Sequence, residues 1–305
     1  MTVAATLTDV TVRFREHTAL AGVTTSIARE GITGLLGRNG AGKTTLLQLL
    51  TGHRVPTSGR VEVLGAAPYE NDDVLRRVCF VKEGQRYPDH FRVRDALAAA
   101  ATLFPEWDED LARSLVADFE LPARRPVKKL SRGMVSAVGI TIGLASRAPV
   151  TLFDEPYLGL DAVARQLFYD RLLADYAENP RTVVLSTHLI EEISGLLEHV
   201  LLLDSGRLLL DDDADDLRAA ALTVTGPADR VAALAAEHDA LSVETLGGAS
   251  RAVLRLRRRV EPAELVPAGM TAEPTPLQQL VVAMSLRRRP AAAVRTADPL
   301  EEVSR

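Results

Sequence analysis

A chain of 305 residues is long enough to bury a large core, as one large domain or two smaller ones. Apolar residues make up 47% and charged residues 25%, the composition of a globular protein, and no stretch approaches the roughly 18 uninterrupted apolar residues of a membrane span. The net charge of -5, without zinc-type Cys/His spacing or a basic stripe, excludes nucleic acid as an expected partner. The N-terminus carries no positive region followed by an apolar core, so we expect no secretion signal and a cytoplasmic protein.

The first predicted elements are strands of a small antiparallel sheet. Residues 7–14 alternate apolar and polar side chains, and residues 23–27 repeat that period after a turn predicted near Gly22. A further arm is predicted at residues 59–64. Phe14 closes the first strand, and two interpretations of it are open: a core aromatic, or a ring on which a nucleotide base stacks.

Residues 37–45 contain the motif that carries most of the chemistry. They fit the phosphate-binding pattern G-x-x-x-x-G-K-[ST], between a buried strand at residues 32–36 and the start of a helix. The glycines let backbone N–H groups point inward, where these groups and the helix dipole favour a polyphosphate. Lys43 can reach the β and γ phosphates, and the hydroxyl of Thr44 can ligate Mg²⁺. The loop therefore predicts a nucleoside triphosphate site whose candidate ligands are Gly37, Asn39, Gly40, Gly42, Lys43, Thr44 and Thr45.

A helical insertion is predicted between two later strands. Residues 78–81 form an apolar strand in which Cys79, the only cysteine, is expected to be a buried core thiol. Turn-forming and charged residues then give a loop over residues 82–88. Beyond it, apolar spacing and bounding prolines predict helices at residues 93–104, 109–119 and 134–147. We assign residues 85–147 to this helical subdomain.

Two carboxylates follow the next strand. Residues 150–155 are apolar up to Asp154 and Glu155 and are bracketed by prolines. A helix and then a strand at residues 182–186 follow, and His188 comes soon after that strand. The alternation of strand and helix predicts a parallel sheet, in which these side chains share the carboxyl edge with the phosphate loop.

The pattern of predicted strands and helices changes after residue 221. A hairpin near residues 200–210 and a closing helix at residues 212–221 complete the first domain. Residues 222–287 are predicted to form a small α+β domain. Its expected elements are strands at residues 222–225, 241–246 and 252–256 and helices at residues 227–237 and from Thr275-Pro276 onward. From residue 288 to 305, Pro, Ala and Arg without periodicity predict a disordered tail.

Five motifs in order resemble those of one family, the nucleotide-binding subunits of ABC transporters. Besides the phosphate loop and the carboxylate pair, residues 130–134 resemble the signature Leu-Ser-Gly-Gly-Gln, residues 158–161 the D-loop, and residues 186–188 the switch region. The resemblance covers residues 1–221. It implies an α/β fold, with a P-loop NTPase core and mixed sheet, an antiparallel β subdomain and a helical subdomain, followed here by the small C-terminal α+β domain.

The resemblance also implies roles for the residues at the sheet edge. Lys43 holds the phosphates of ATP, Asp154 holds Mg²⁺, and Glu155 polarises the attacking water. His188 contacts the γ-phosphate and reports its presence. These roles suit hydrolysis, which needs a water in line with the γ-phosphate and a carboxylate within hydrogen-bond reach of it.

A second anion site is expected at the signature. Ser131 is predicted to begin a helix, so its hydroxyl and the free N–H groups there can bind a phosphate. In the family, this site, with Gly133 and the D-loop Asp161, faces the ATP of a partner subunit. The resemblance therefore implies that the chain hydrolyses ATP only as a dimer.

Two departures from the family pattern affect the expected site. Glu83 stands where the family has a magnesium-binding glutamine, with Gln85 two residues later as the alternative ligand. In the signature, Arg132 replaces the first glycine and Met134 the glutamine. A carboxylate can still ligate Mg²⁺, and the added guanidinium is expected to change the ATP affinity or the choice of partner subunit.

The sequence thus predicts an ATPase subunit that dimerises around ATP, as a homodimer or a heterodimer. By resemblance it drives a separate transmembrane permease from the cytoplasmic face of the cell membrane and is most similar to the single-domain ATPases of ABC-2-type exporters. Two alternatives stay open: a soluble ATP-driven switch that acts without a permease, and a weakly hydrolysing partner of a different ATPase.

Overall fold

The structure is a computed structural model that describes residues 2–256, 265–266 and 269–287. The chain forms two compact units, residues 1–217 and residues 218–305. The disordered tail predicted at residues 288–305 lies outside the described residues. Among the helices that the structure describes, none combines the length and the hydropathy needed to cross a bilayer.

The first unit opens with a β-hairpin and then alternates strands with helices. Its strands are β1 (Val3–Phe14), β2 (His17–Ala28), β3 (Gly31–Leu36), β4 (Ser58–Val63), β5 (Val78–Val81), β6 (Val150–Asp154), β7 (Thr182–Thr187), β8 (His199–Asp204) and β9 (Arg207–Asp213). Its helices are α1 (Lys43–Leu50), α2 (Asp72–Leu75), α3 (Val93–Leu103), α4 (Glu109–Asp118), α5 (Arg132–Ala145), α6 (Ala162–Glu178) and α7 (Ile190–Ile193). Helix α8 (Ala214–Ala219) contains the boundary between the units.

Strands β1, β2 and β4 form an antiparallel sheet in the order β2-β1-β4. The hairpin turns at Arg15 and Glu16, so the turn predicted near Gly22 was wrong. Gly22 instead lies inside β2, with a φ of 63° and its N–H donated to the hydroxyl of Thr11 at 3.1 Å. The register between β1 and β2 shifts at this point, so the glycine accommodates a bulge rather than a turn.

The central sheet has six strands in the order β5-β6-β7-β3-β8-β9, and only β9 runs antiparallel to its neighbour. The mixed sheet of the expected α/β fold is therefore confirmed. Every residue of β3, β6 and β7 is buried, as expected for apolar strands inside a sheet that helices cover. Because these three strands are parallel, the phosphate loop, Asp154 and Thr187 meet at one edge of the sheet.

Helices α3, α4 and α5 occupy the segment between β5 and β6. Helix α5 begins at Arg132, because the hydroxyl of Ser131 accepts the N–H of Met134 at 3.2 Å and so caps the first turn. Helix α5 then packs against α4, β5 and β6. Cys79 on β5 is buried, and this burial raises the pKa of its thiol to about 12, so the expected core thiol is inert.

The second unit contains β10 (Ala221–Pro227), α9 (Ala228–Glu237), β11 (Asp239–Leu246), β12 (Ala249–Arg255), β13 (Thr271–Pro274) and α10 (Leu277–Arg287). Its strands form an antiparallel sheet in the order β11-β12-β10-β13, which is the strand order of split-βαβ domains. Helix α9 packs on this sheet, where Val224, Val231 and Leu254 are fully buried. Strand β13 was not predicted, because Thr-Ala-Glu-Pro carries no apolar alternation and becomes a strand only by pairing with β10.

Candidate functional site

The carboxyl edge of the central sheet borders a cavity of about 610 Å³. Residues 38–45 of the phosphate loop line one side of it, and Asp154, Glu155 and His188 line another. Gly37 is the only predicted phosphate-loop ligand outside this lining among the described residues, and its carbonyl faces Lys43 instead. The structure therefore brings the predicted phosphate, metal and catalytic residues of the first unit to one place.

The phosphate loop is wrapped around the ammonium group of Lys43. Nζ of Lys43 donates to the carbonyls of Gly37 at 2.7 Å and Arg38 at 3.4 Å, and the side chain is 7% exposed. Gly42 has a φ of 109°, and a Cβ there would lie 2.7 Å from the carbonyl oxygen of Ala19. Both the backbone angle and the close approach require glycine, so this motif position is fixed by local geometry.

The side chains of Thr44 and Asp154 face each other beside the cavity. The Thr44 hydroxyl donates to Oδ2 of Asp154 at 2.7 Å. Oδ1 of Asp154 is buried without a hydrogen-bond partner within the described ranges of the chain. The same is true of Oγ of Ser186, the residue that lies opposite Asp154 in the pairing of β6 with β7. Mg²⁺ takes hard oxygen donors of this kind, together with phosphate oxygens and water. The residues present therefore fit a Mg²⁺ ion.

Glu155 is a buried carboxylate rather than a solvated charge at a strand end. Its side chain is 9% exposed, and Oε1 lies 3.3 Å from Nζ of Lys43. Its φ of 50° lies in the left-handed region, which costs a residue other than glycine about 1–3 kcal/mol. The backbone N–H of Glu155 donates to the carbonyl of Ser186 at 3.1 Å. This bond ties the turn after β6 to β7 and holds the carboxylate beside Lys43.

Tyr157, which the sequence analysis did not single out, connects the ends of β6 and β7. Its hydroxyl donates to Oε2 of Glu155 and accepts hydrogen bonds from Oγ1 of Thr187 at 2.8 Å and from the backbone N–H of His188 at 3.2 Å. Nδ1 of His188 lies 2.7 Å from the same Oε2. Burial, and then the hydrogen bond to Glu155, raises the pKa of the Tyr157 hydroxyl, which therefore keeps its proton at neutral pH.

The structure separates the two candidates for a further Mg²⁺ ligand. Glu83 borders the cavity of about 610 Å³ together with Thr44 and Asp154. Gln85 borders a neighbouring cavity of about 240 Å³, which Glu83 also lines. Of the two side chains, only that of Glu83 therefore shares a cavity with the predicted Mg²⁺ site.

Phe14 is 38% exposed, so its interpretation as a core aromatic was wrong. The ring borders the cavity beside His17, and the guanidinium carbon of Arg54 lies 4.2 Å from the ring centroid. This cation–π contact supports the ring, while Nε of Arg54 donates to Gln48 at 3.3 Å. An exposed aromatic ring at the rim of the cavity is placed as stacking on a base requires.

Ser131, Gly133 and Asp161 do not border this cavity. Ser131 is exposed and caps α5, and Asp161 caps α6 by accepting a backbone N–H at 2.8 Å. A Cβ on Gly133 would collide with the carbonyl oxygen of Gly159. The signature and the D-loop therefore pack against each other, and Ser131, Gly133 and Asp161, which were predicted to bind an anion, lie outside the lining of this cavity.

Comparison with known proteins agrees with this arrangement. The sequence profile of the ABC transporter family matches residues 20–158. The chain is 31% identical over 215 residues to the Nod factor export ATP-binding protein I of Rhizobium sp. (strain N33), which covers 68% of this chain and 70% of that relative. It is 28% identical over 214 residues to the bacitracin transport ATP-binding protein BcrA of Bacillus licheniformis, which covers 69% of this chain and 70% of the relative. The chain therefore spans about 70% of the length of each of these two curated relatives.

Solved structures share the fold of most of this chain. An ATP-binding subunit of an ABC transporter superposes with a TM-score of 0.64 at 24% identity, over 70% of this chain and 92% of that one. A bacterial Atm1-family ABC exporter with ATP bound superposes with a TM-score of 0.61 at 24% identity, over 70% of this chain and 39% of that one. Together with the relative at 31% identity, the family match shows that the chain belongs to the ABC transporter family, as one of its ATP-binding subunits.

Proposed function

We propose that this subunit hydrolyses ATP as one half of a dimer and thereby drives a separate transmembrane permease. The observation that carries the proposal is the division of the site. Lys43 and Glu155 line one cavity, whereas Ser131 lies outside it on an exposed helix N-terminus. Such a terminus can bind an anion, because its unpaired N–H groups point outward and the positive end of the helix dipole lies there. A second subunit that brings its own Ser131 to the cavity would complete the enclosure of the phosphates.

In the proposed reaction, nucleotide binding starts at Lys43. Its ammonium pairs with Glu155 at 3.3 Å, so the β and γ phosphates would replace that carboxylate as its counter-charge. Thr44 and Asp154 would hold Mg²⁺, with Glu83 as the further candidate ligand. Bound there, Mg²⁺ would neutralise charge on the phosphates. The remaining ligands of the ATP are the loop residues Gly37, Asn39, Gly40, Gly42 and Thr45 and the base-stacking ring of Phe14.

Glu155 and His188 would perform the hydrolytic step. Glu155 would accept a hydrogen bond from the attacking water and align it with the γ-phosphate. Nδ1 of His188 faces Glu155, which leaves Nε2 as the ring nitrogen that contacts the γ-phosphate. The water oxygen then bonds to phosphorus and gives a proton to Glu155, the bond to the ADP oxygen breaks, and loss of phosphate lets the two subunits part.

Mixing two inactive variants tests whether the site is shared. Lys43→Ala removes the phosphate contact, and Ser131→Asp places a carboxylate against the ATP of the partner, so each variant alone is expected to be inactive. In a mixed dimer, one wild-type phosphate loop faces one wild-type signature. An equal mixture should therefore recover about a quarter of the wild-type rate, because half of the dimers are mixed and each has one intact site of two. An inactive mixture contradicts a site formed by two copies.

The second subunit is a copy of this chain or a related ATPase, and hydrolysis by the purified chain alone would favour the homodimer. In either dimer, Gly133 and Asp161 would face the partner's ATP together with Ser131. The exposed side chain of Arg132, next to the cap, would add positive charge to the same contact. It is the feature of the signature that can favour one partner subunit over another.

We also infer that the permease is an exporter of the ABC-2 type and that the subunit lies on the cytoplasmic face of the cell membrane, bound through this partner. Relatives named for Nod factor export and for bacitracin transport support the inference. Affinity purification of the full chain from detergent-solubilised membranes should recover a protein with several membrane-spanning segments. Recovery from the soluble fraction alone would favour an ATP-driven switch that needs no permease.

A further inference from the structure

The two carboxylate oxygens of Glu155 have different neighbours. Oε1 lies 3.3 Å from Nζ of Lys43, on the side of the phosphate loop. Oε2 accepts the hydroxyl of Tyr157 and lies 2.7 Å from Nδ1 of His188. Arrival of the phosphates at Lys43 would release Oε1, whereas nothing in that event disturbs the contacts of Oε2.

The position of the Tyr157 hydroxyl is fixed by four groups. It has one proton, which it donates to Glu155, and it accepts from Oγ1 of Thr187 at 2.8 Å and from the backbone N–H of His188 at 3.2 Å. Nδ1 of His188 also lies within 3.1 Å of the hydroxyl oxygen. The ring itself is 3% exposed, so packing holds the side chain as well.

We propose that Tyr157 is a positioning residue for ATP hydrolysis, whose hydroxyl anchors Oε2 of Glu155 so that Oε1 is the oxygen presented to the attacking water. A glutamate carboxylate turns easily about its last torsion angle, since that rotation has only broad preferences. With Oε2 held by Tyr157 and His188, the rotation is blocked. Lys43 can therefore leave for the phosphates while the carboxylate keeps its direction.

Tyr157 has this effect through Glu155 and touches neither ATP nor water in the proposed reaction. Its loss should consequently lower kcat and leave the affinity for ATP unchanged. A purely structural role predicts a different pattern, in which ATP affinity and unfolding temperature fall together with kcat. The inference rests on the proposed role of Glu155, so a test must examine both residues.

The test compares four variants of the full-length chain: Tyr157→Phe, Glu155→Gln, the double variant, and Tyr169→Phe as the matched control. Tyr169 is also a buried tyrosine, 4% exposed, and its hydroxyl lies 3.4 Å from Glu192, outside the cavity lining. Each variant is measured for kcat, KM, ATP affinity and thermal unfolding. Tyr157→Phe should lower kcat about 10- to 100-fold with KM within about twofold of wild type, because misplacing a reacting group costs this much.

The double variant separates positioning from general damage. In the Glu155→Gln background, Tyr157→Phe should cause no further loss of kcat, since the group that it positions is already absent. An equal fold-loss in both backgrounds, or a kcat of Tyr157→Phe within twofold of wild type, overturns the proposal. If Glu155→Gln itself hydrolyses ATP at the wild-type rate, the assigned role of Glu155 fails instead, and with it the basis of the inference.

A second variant, Thr187→Val, tests the same proposal if Tyr157→Phe does not fold. Thr187→Val removes the hydroxyl that donates to Tyr157 and keeps the branched shape of the side chain on β7. The tyrosine hydroxyl then loses one of its four contacts and is held less firmly, so kcat should fall about 2- to 10-fold while ATP affinity is retained. The same loss of kcat in the Glu155→Gln background would count against the proposal.

Discussion

Nζ of Lys43 lies 3.3 Å from Oε1 of Glu155, and the two side chains are 7% and 9% exposed. The pair joins the residue that would bind phosphate to the residue that would align water, so each neutralises the other in this structure. Buried charges of this kind are stable only while both partners are present. In the proposed reaction, the phosphates of ATP would therefore replace Glu155 at Lys43, and nucleotide binding and release of the carboxylate would be one event.

Glu155→Gln should lower ATP hydrolysis about 10²- to 10⁴-fold, because an amide is a poor acceptor for the proton of the attacking water. The same change should tighten ATP binding, because Lys43 no longer has to leave a carboxylate. Phosphate release and calorimetric titration with ATP measure the two effects. Glu192→Gln is a suitable control, since it removes a carboxylate from an ion pair with Arg165 that lies nearer the surface. Weaker ATP binding by Glu155→Gln would contradict the competition.

Phe14→Ala should weaken ATP binding about 5- to 150-fold, since stacking of a base on an aromatic ring contributes about 1–3 kcal/mol. Inorganic triphosphate has no base, so its inhibition of hydrolysis should be the same for the variant and the wild type. Unfolding should change little, because the ring is 38% exposed. Equal losses for ATP and triphosphate would show that the ring acts on the phosphate loop rather than on the base.

Ser131→Asp should retain the stability of the chain and abolish hydrolysis. Aspartate is as good an N-cap as serine, so α5 keeps its first turn, whereas Ser131→Ala should cost about 1 kcal/mol. The added negative charge would repel the phosphates in the partner's cavity. Asn71→Asp makes the same change of charge at the N-cap of α2 and should leave hydrolysis unchanged. A fully active Ser131→Asp would exclude the signature from the phosphate site.

Asp175→Ala should destabilise the first unit by about 3–5 kcal/mol. Asp175 is buried on α6 and forms ion pairs of 2.6 Å with both Arg147 and Arg181. Its removal takes the carboxylate from the buried Arg181 and leaves Arg147 with its ion pair to Asp108 at 2.8 Å. Urea unfolding followed by the fluorescence of Trp107, the only tryptophan, measures the loss.

A surface ion pair provides the control for this prediction. Asp110→Ala removes one of two carboxylate partners of Arg113, at 2.8 Å. The Asp110 side chain is 91% exposed, so the change should cost at most about 1 kcal/mol. Unfolding midpoints that shift equally in the two variants would contradict a special contribution from the buried network.

The parts of the site that could be predicted are those that local sequence determines. The phosphate loop follows from glycines at fixed spacing, the buried strands from apolar runs, and the start of α5 from the capping residue Ser131. Each of these features depends on residues within about one turn or one strand of each other, so a single sequence contains the information.

The features that could not be predicted depend on contacts between distant segments. Tyr157 has only one local sign, an aromatic ring two residues after Glu155, and its function depends on Thr187, 30 residues away. Gly22 resembles a turn residue in the sequence, and only the register of β1 against β2 makes it a bulge. Strand β13 exists because β10 offers it an edge. Tertiary pairing decides all three cases.

The strand order of the central sheet also determines when the site can first exist during synthesis. Strand β7 lies between β3, which leads into the phosphate loop, and β6, which ends in Asp154. A nascent chain that has reached Asp154 but not Thr187 therefore contains the phosphate loop and Asp154 but lacks β7, the strand that joins β3 to β6. At roughly 5–20 residues per second, this interval lasts about 2–7 s, during which ATP cannot assist folding and the edges of β3 and β6 stay exposed to the chaperones of the cell.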